Sequence, residues 1–202
     1  AVIRVKARLG APSHTPSFDT EETYTVRPDG RIDAAFSLCP LRGEKLAPLP
    51  RFGILLDLDR RFDTAEWFGR GPHENYPDMK DSAFFSRYAM PVADTFSRFL
   101  RPQESGNHCD VSEAILSDKN GNALAFSSGT PFCFGARPFS LDRLCRAAHD
   151  EELADEALTQ VSIDGFMSGL GSQSCGHPPL EPYRIPADRP LAFSFTMALL
   201  RR

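Results

Sequence analysis

Three carboxylates lie close together in one segment of the sequence, residues 66–78, which also contains Gly and Pro. They are Glu66, Glu74 and Asp78. Two opposed carboxyl groups can cleave a glycosidic bond, either about 5 Å apart with retention of configuration or about 6.5–9.5 Å apart with inversion. Spacing along a loop does not establish that geometry. In the simpler interpretation, Glu74 and Asp78 hold an irregular loop in place. Their partners would then be turn amides, or the guanidinium groups of Arg70 and Arg87.

Aromatic side chains of the same segment could form a platform for a sugar, because a pyranose presents C–H groups to an aromatic face. The candidates are Trp67, Phe68 and Tyr76. Core packing is the simpler interpretation of Trp67, which lies in an alternating strand pattern, since a lone Trp is usually buried. Tyr76, between Asn75 and Pro77, is the better candidate for exposure.

Two histidines are candidates for acid or base chemistry. His149 follows a predicted helix, where an imidazole interacts favourably with the helix dipole, so we expect a structural role for it. The alternative is a general acid or base, a role that the adjacent pair His73 and Glu74 also suggests. No two of the five histidines have a spacing typical of metal ligands, so the sequence predicts no metal site.

A loop near the carboxyl terminus, residues 164–178, combines glycines with small polar side chains. Glycines let a backbone approach a ligand closely, and they cost conformational entropy that a purely structural turn would avoid. The composition therefore predicts a loop that contacts a ligand. We expect residues 169–177 to be exposed and mobile, because their glycines offer little side-chain burial.

The composition excludes several classes of protein. A chain of 202 residues can bury a sizeable core without disulfides or metals. Its formal net charge is −4 and its basic residues are scattered, so nucleic acid is not an expected partner. No apolar run is long enough for a membrane span, and no signal peptide is visible. Five cysteines without a CxxC pair indicate free thiols and a cytoplasmic location.

Alternating apolar and polar residues, broken by turn residues, predict an all-β fold. The predicted strands are residues 2–9, 22–26, 32–38, 52–58, 64–68, 123–126 and 191–200. Residues 28–31 and 118–122 contain Gly next to Asp or Asn and predict hairpin turns. One short helix is predicted at residues 140–148, where Ser140 is a capping residue and apolar side chains recur at helical spacing.

Several motifs, taken in order, resemble the carboxy-terminal β-sandwich domain, or small-chain domain, of the family-2 glycoside hydrolases that act as β-galactosidases. They are Leu49 to Gly53, Trp67 to Asp78, Pro102 to Asn107, Phe139 to Leu153, Asp164 to Gly176 and Tyr183 to Ile185. The resemblance covers nearly the whole chain. It implies an antiparallel β-sandwich of the galactose-mutarotase-like type with one short helix. Residues 1–202 would form this single domain without its first strands.

The resemblance also implies a function within a larger enzyme. The catalytic carboxylates of these β-galactosidases sit in a separate barrel domain, so we expect no catalytic residue and no cofactor in this fragment, and no hydrolysis by the isolated chain. The full enzyme would hydrolyse terminal non-reducing β-D-galactose residues. The partners of this domain would be the catalytic barrel and, through the full enzyme, the galactoside. A homo-oligomer would be compatible with that arrangement.

A Gly-x-Gly loop of the family reaches from this domain to the active site and lines the sugar pocket. The matching residues here are Ser174, Cys175, Gly176 and His177, which we expect to contact substrate. The resemblance matches Cys175 to the position of a Trp found in some members, or Gly176 if the alignment has a one-residue gap; other members carry the same Ser-Cys-Gly sequence. The absence of the Trp implies a roomier pocket without a stacked aglycone.

Two departures from the family pattern have structural consequences. His108 and Ser112 stand where the family usually has Arg, so any salt bridge of those arginines is missing. A block of strands that normally opens the domain does not precede Ala1. Its absence predicts exposed edge strands and apolar surface unless a partner chain covers them.

Two other functions remain open at this point. A stand-alone carbohydrate-binding module would need an exposed aromatic strip. An aldose mutarotase, which shares the sandwich fold by resemblance, would need His73 or His149 opposite a carboxylate in a concave site.

Overall fold

The computed structural model describes residues 1–11, 14–41, 46–171, 176 and 178–201 of the chain. Within these residues the regular secondary structure is almost entirely β-strand, as predicted. The strands are β1 (Val2–Leu9), β2 (Phe18–Val26), β3 (Ile32–Pro40), β4 (Arg51–Asp59), β5 (Thr64–Gly71), β6 (Phe84–Pro91), β7 (His108–Ser117), β8 (Asn122–Arg137), β9 (Leu158–Met167) and β10 (Leu191–Arg201). The other elements are one α-helix, α1 (Leu141–Arg146), and 3₁₀ turns at Val92–Asp94, Asp150–Glu152 and Glu181–Tyr183.

Both predicted hairpin turns are present. The turn between β2 and β3 places Gly30 at a φ of 83°, and the turn between β7 and β8 places Gly121 at the same φ. A left-handed backbone is strained for residues that carry a Cβ, so these two glycines determine where each turn forms.

β8 organises the sheet, because its two halves pair with different strands. Residues 122–127 pair with β10, whereas residues 133–137 pair with β9. The first wing therefore runs from β10 through β3 and β2 to β1, and the second wing consists of β9 and β4. On its other side β8 pairs with β7, which is followed by β5 and β6.

The two wings pack face to face around aromatic side chains. Phe193 of the first wing meets Phe52 of the second wing edge-on, with 5.2 Å between ring centroids, and it stacks on Phe36 at 4.9 Å. A Cβ on Gly165 of β9 would lie 2.3 Å from the Cβ of Phe193, so this close approach requires glycine. The expected antiparallel β-sandwich is confirmed.

Trp67 of β5 lies in the core, as predicted. Its side chain is fully buried and packs against Tyr88 of β6, with 5.4 Å between ring centroids. Its Nε1 donates a hydrogen bond to the carbonyl oxygen of Arg70 at 3.0 Å, so the one polar atom of the indole is satisfied. Trp67 is therefore a structural side chain and not part of an exposed sugar platform.

The predicted helix is the only α-helix within the described residues. Ser140 caps it, since its Oγ accepts a hydrogen bond from the amide of Arg143 at 3.2 Å. It ends at Arg146, two residues before the predicted end, and packs through Leu144 onto Phe139. No helix of the described residues is long and apolar enough to cross a membrane.

The expected exposed edge strands are present. β1 ends the first wing, and all of its residues are exposed to solvent. Its exposed apolar side chains are Val2, Ile3, Val5 and Leu9. β6 ends the opposite side of the sheet and β4 ends the second wing, so further backbone edges are open there.

Candidate functional site

A pair of asparagines joins the loop between β5 and β6, which we call the first loop, to the segment that precedes β7. The amide of Asn75 donates to the carbonyl oxygen of Asn107 at 2.7 Å, and Asn107 Nδ2 donates to the carbonyl oxygen of Asn75, also at 2.7 Å. Asn75 Oδ1 accepts a further hydrogen bond from the amide of Cys109 at 2.8 Å. Both asparagines are buried, so this junction is rigid.

The carboxylates of the first loop bind backbone amides. Glu74 Oε2 accepts from the amide of Gly106 at 2.6 Å, and Asp78 Oδ1 accepts from the amide of Leu170 at 2.9 Å. This confirms the prediction that they hold loops in place, and the partners shown are backbone amides. Arg70 instead pairs with Asp110 at 2.6 Å, and Arg87 with Glu113 at 3.1 Å.

Asp78 connects the first loop to Gly169 and Leu170, the part of the glycine-containing loop that follows β9. Gly169 is buried, and a Cβ at this position would lie 2.5 Å from Asp78 Cγ, so only glycine fits without a shift. The amide of Gly169 donates to the carbonyl oxygen of Tyr183 at 3.0 Å. The expectation that this loop is exposed from Gly169 onward is therefore wrong at Gly169, which is buried by its hydrogen bond to Tyr183 and its close contact with Asp78.

The remainder of the predicted site falls largely on residues that are not described. Ser174, Cys175 and His177 lie outside the described residues. Gly176 is described: it is exposed, has a φ of 83° and has no heavy atom of the other described residues within 4 Å of the position a Cβ would occupy. Gly171, at the other side of the gap, is also exposed.

A cluster of charged side chains lies beneath the glycine-containing loop. Arg51 of β4 forms two hydrogen bonds to the carboxylate of Asp164 of β9, one from Nε at 3.1 Å and one from Nη2. Arg51 Nη1 also lies 3.4 Å from Glu104 Oε2. Arg137 of β8, which is buried, interacts electrostatically with Glu104. We call these four residues the ion cluster.

Burial and charge act in opposite directions within the ion cluster. Burial raises the pKa of the Asp164 carboxyl, while the Arg51 guanidinium lowers it. Burial likewise lowers the pKa of Arg137, while the Glu104 carboxylate raises it. Alternating charges of this kind compensate one another, and removing a single member would leave an uncompensated buried charge.

Tyr76 is buried, so the prediction of its exposure is wrong. Its side chain is 2 % exposed, and its hydroxyl donates to Glu104 Oε1 at 3.4 Å. Burial, followed by the Glu104 carboxylate, raises the pKa of the hydroxyl, which therefore stays protonated as a donor. Of the three candidate platform residues, only Phe68 is exposed; it packs against Phe85 of β6, with 4.8 Å between ring centroids.

A cavity of about 340 Å³ lies between the ion cluster and the glycine-containing loop. Its described polar lining consists of Arg51, Glu104, Ser168 and Arg184. Glu104 is the only carboxylate among its described lining residues. Such a lining can donate to and accept from the hydroxyl groups of a polyol, but it does not present the two opposed carboxyl groups that glycoside hydrolysis requires.

The two candidate histidines are exposed and do not join this cavity. His73 Nε2 lies 3.4 Å from Ser82 Oγ, and His149 begins a 3₁₀ turn beyond α1, where its carbonyl oxygen accepts from the amide of Glu152. Within the described part of the chain, no three His, Cys, Asp or Glu side chains are arranged to hold a metal ion.

Sequence reasoning did not identify the ion cluster. Arg51 and Glu104 lie in two of the recognised motifs, so the motifs pointed to the correct segments. The partner of Arg51, Asp164, is 113 positions away in the sequence, and no local spacing indicates that contact.

Comparisons with known proteins agree with the motifs. A family model described as "Beta galactosidase small chain" matches residues 1–197. A β-galactosidase of Staphylococcus xylosus is 32% identical over 175 residues, which cover 87% of this chain and 17% of the relative. A β-galactosidase of Kluyveromyces lactis is 31% identical over 201 residues, which cover 98% of this chain and 19% of the relative.

This chain also aligns with a solved structure. It is titled a galactose mutarotase related enzyme from Lactobacillus acidophilus, with a TM-score of 0.47 and 8% sequence identity over 98% of this chain and 67% of that chain.

The chain spans less than one fifth of the length of these β-galactosidase relatives. The match to the family model nevertheless extends over almost all of its residues. The chain therefore belongs to the β-galactosidase small-chain family.

Proposed function

We propose that this chain is the non-catalytic sandwich domain of a β-galactosidase whose full-length form hydrolyses terminal non-reducing β-D-galactose residues. The relatives named above are β-galactosidases, and the chain corresponds to a small part of each. In this proposal, residues 1–202 form one domain that packs on a catalytic barrel in the cytoplasm. The domain itself needs no cofactor, and a homo-oligomer is compatible with it.

One observation carries the non-catalytic role. Glu74 and Asp78 both accept hydrogen bonds from backbone amides of other segments, which supports a role in holding loops in place. Glu104 is in contact with Arg51 and Tyr76 and faces no second carboxylate across the described part of the cavity. Retaining and inverting mechanisms both require such a second group.

The proposed contribution of the domain is a loop at the rim of the sugar pocket. Ser174, Cys175, Gly176 and His177 are the residues proposed to contact the galactoside. The loop begins at Gly169, which is fixed by Asp78 and Tyr183, and a fixed base lets a loop place its tip reproducibly. Gly176 leaves open space where a side chain would stand, which suits close approach of a ligand.

The non-catalytic role is tested with the purified chain and a nitrophenyl β-galactoside. We expect no turnover, either by the wild-type chain or by Glu74→Gln. The same assay is then repeated after joining the chain to a (β/α)₈ barrel encoded in the same or a neighbouring reading frame, where we expect turnover. Hydrolysis by the isolated chain that Glu74→Gln abolishes would refute the proposal.

The rim contact is tested in the joined enzyme with Cys175→Trp. A large ring at this position narrows the acceptor side of the pocket, so we expect KM to change several-fold more for lactose than for a small nitrophenyl galactoside. Cys145→Trp is the matched control, because Cys145 is an exposed thiol on α1. Equal changes in KM for both substrates would show that residue 175 does not face the acceptor.

A carbohydrate-binding module is the second candidate, and the exposed pair Phe68 and Phe85 favours it. Their rings lie on one face of β5 and β6, with Arg87 stacked over Phe68 at 5.6 Å. Titration calorimetry with galactose and lactose decides the question: millimolar affinity that Phe85→Ala abolishes would support this function. A mutarotase is not favoured, because Glu74 binds Gly106 and not His73.

A further inference from the structure

Two cysteines, one buried and one half-buried, are in contact on neighbouring strands. His108 of β7 pairs with Phe134 of β8 and Val111 pairs with Phe132, and Cys109 and Cys133 lie between these two pairs, where the register shifts. Their sulfur atoms are 3.6 Å apart, which is van der Waals contact, and both are reduced. The two residues are 24 positions apart in the sequence.

The backbone at this position suits a covalent link. Facing residues of an antiparallel pair have Cα atoms about 4.5–5.5 Å apart. Disulfides in proteins bridge Cα separations of about 4.4–6.8 Å. Regular pairs on both sides of the register shift hold the two strands together, and the two sulfur atoms are already in contact. A bond between Cys109 and Cys133 therefore needs mainly side-chain rotation.

The two thiols differ in their access to solvent. Cys109 is 2 % exposed, and its sulfur lies 3.5 Å from the carbonyl oxygen of Asn75 and 3.4 Å from Asn107 Nδ2. Cys133 is only half-buried and lines an open cavity of about 280 Å³, together with Asp110 and Tyr183. A small oxidant can reach Cys133 through this cavity.

We propose that Cys109 and Cys133 form a site of oxidative modification, at which a peroxide converts the two thiols to a cross-strand disulfide. The Cys133 thiolate attacks one oxygen of hydrogen peroxide, the O–O bond breaks and hydroxide leaves, which yields a sulfenic acid on Cys133. The Cys109 sulfur then attacks the Cys133 sulfur, the S–O bond breaks and water leaves with the proton of the Cys109 thiol. Two thiols lose two electrons in total, and peroxide is reduced to two waters.

The surroundings of the pair make this reaction slow at neutral pH. The hydrogen bond to Cys109, burial and the nearby Asp164 carboxylate raise the pKa of the Cys133 thiol, while Asn107 lowers it. Because the thiolate is the reactive form, little of Cys133 reacts at any moment. The pair therefore stays reduced under ordinary conditions and becomes oxidised when peroxide persists.

The other described thiols offer no comparable partner. Cys39 on β3 and Cys145 on α1 are exposed and belong to different elements. The proposal is independent of the function proposed above, since the disulfide forms within the chain itself.

The test uses the full 202-residue chain with Cys39, Cys145 and Cys175 replaced by Ser, so that only the pair remains. The folded protein is exposed to hydrogen peroxide, and free thiols and intact mass are measured after unfolding. We expect both thiols to disappear together, with a mass decrease of two hydrogens that a reductant reverses. Digestion should give one peptide pair linking Cys109 to Cys133.

Two matched variants keep the test informative. In Cys133→Ser, the buried Cys109 should resist peroxide at least tenfold longer than the pair does. In Cys109→Ser, the half-buried Cys133 should gain oxygen instead of losing hydrogen. Two results would overturn the proposal. In the chain that retains both thiols, Cys133 could gain oxygen without forming a disulfide to Cys109, or disulfides could form only between different molecules.

Discussion

His108 is a polar side chain packed mainly against aromatic rings in the core. Its ring is fully buried, lies 4.1 Å from the Trp67 ring between centroids, and has no hydrogen-bond partner at either nitrogen. Burial lowers its pKa from 6.5 to about 4, although backbone groups of Thr95 and Arg70 counter part of the shift. A neutral imidazole is therefore the only form that this site tolerates at physiological pH.

We expect His108 to make folding sensitive to acid. The unfolded chain binds a proton near pH 6.5, whereas the folded chain does so only near pH 4, so stability is complete above 6.5 and decreases as the pH falls towards 4. The decrease amounts to roughly 3 kcal/mol for a shift of this size. Denaturant unfolding at several pH values measures it.

His108→Phe is the matched control for this prediction. Phe keeps the ring shape and removes two buried polar atoms that have no partner, so its stability at neutral pH should be equal or higher. The loss of stability between pH 6.5 and 4 should be smaller in this variant by about the same roughly 3 kcal/mol. Parallel curves for the two proteins would show that His108 is not the responsible group.

Individual side chains could be predicted from sequence only where local pattern decides burial. Trp67 follows the alternation of β5, and its burial was predicted correctly. Tyr76 lies in an irregular loop, where local residues suggest exposure, but contacts with Glu104 bury it. The link between Arg51 and Asp164 depends on the pairing of β4 with β9, which single-sequence reasoning does not give.

At the level of elements, strands with clean alternation and glycine turns were predictable, and β6, β7 and β9 were not. Most of β9 is buried on both faces, including Thr159, Gln160 and Ser162, so polar residues stand at core positions and the alternation is lost. β7 contains irregular register around Asp110, which has a φ of 56°. β8 extends well beyond the predicted residues 123–126.

The glycine-containing loop should open when its link to the first loop is removed. Asp78→Ala deletes the acceptor for the amide of Leu170, and we expect hydrogen exchange at that amide to accelerate at least tenfold. Gly169→Ala should act in the same direction, because its Cβ would lie 2.5 Å from Asp78 Cγ. The exposed Asp81→Ala is the control and should leave exchange at Leu170 unchanged. Equal exchange in all variants would show that Asp78 does not fix the loop.

At the level of the whole molecule, β1 is the most open part of the surface. A free strand edge with exposed Ile3, Val5 and Leu9 is a template for pairing with another chain. We expect the isolated chain to self-associate as its concentration rises, which light scattering coupled to gel filtration would detect. A charge on the edge, in Val5→Lys, should reduce the association several-fold.

Leu199→Lys is the control for the edge, because Leu199 is 80 % exposed but lies on β10, which is paired within the sheet. It should have little effect on association. An equal reduction by both lysine substitutions would indicate general apolar contact instead of strand pairing. A monomer at all concentrations would contradict the prediction.

The sharing of β8 between the two wings determines how the domain can come apart. Each wing is hydrogen-bonded to a different half of this one strand, so detaching either wing leaves that half of β8 paired with β7 alone. Neither wing can serve as an independent folding unit, and we expect both to be lost in a single cooperative transition. A truncation that removes one wing should therefore destabilise the whole domain, including the wing that it leaves in place.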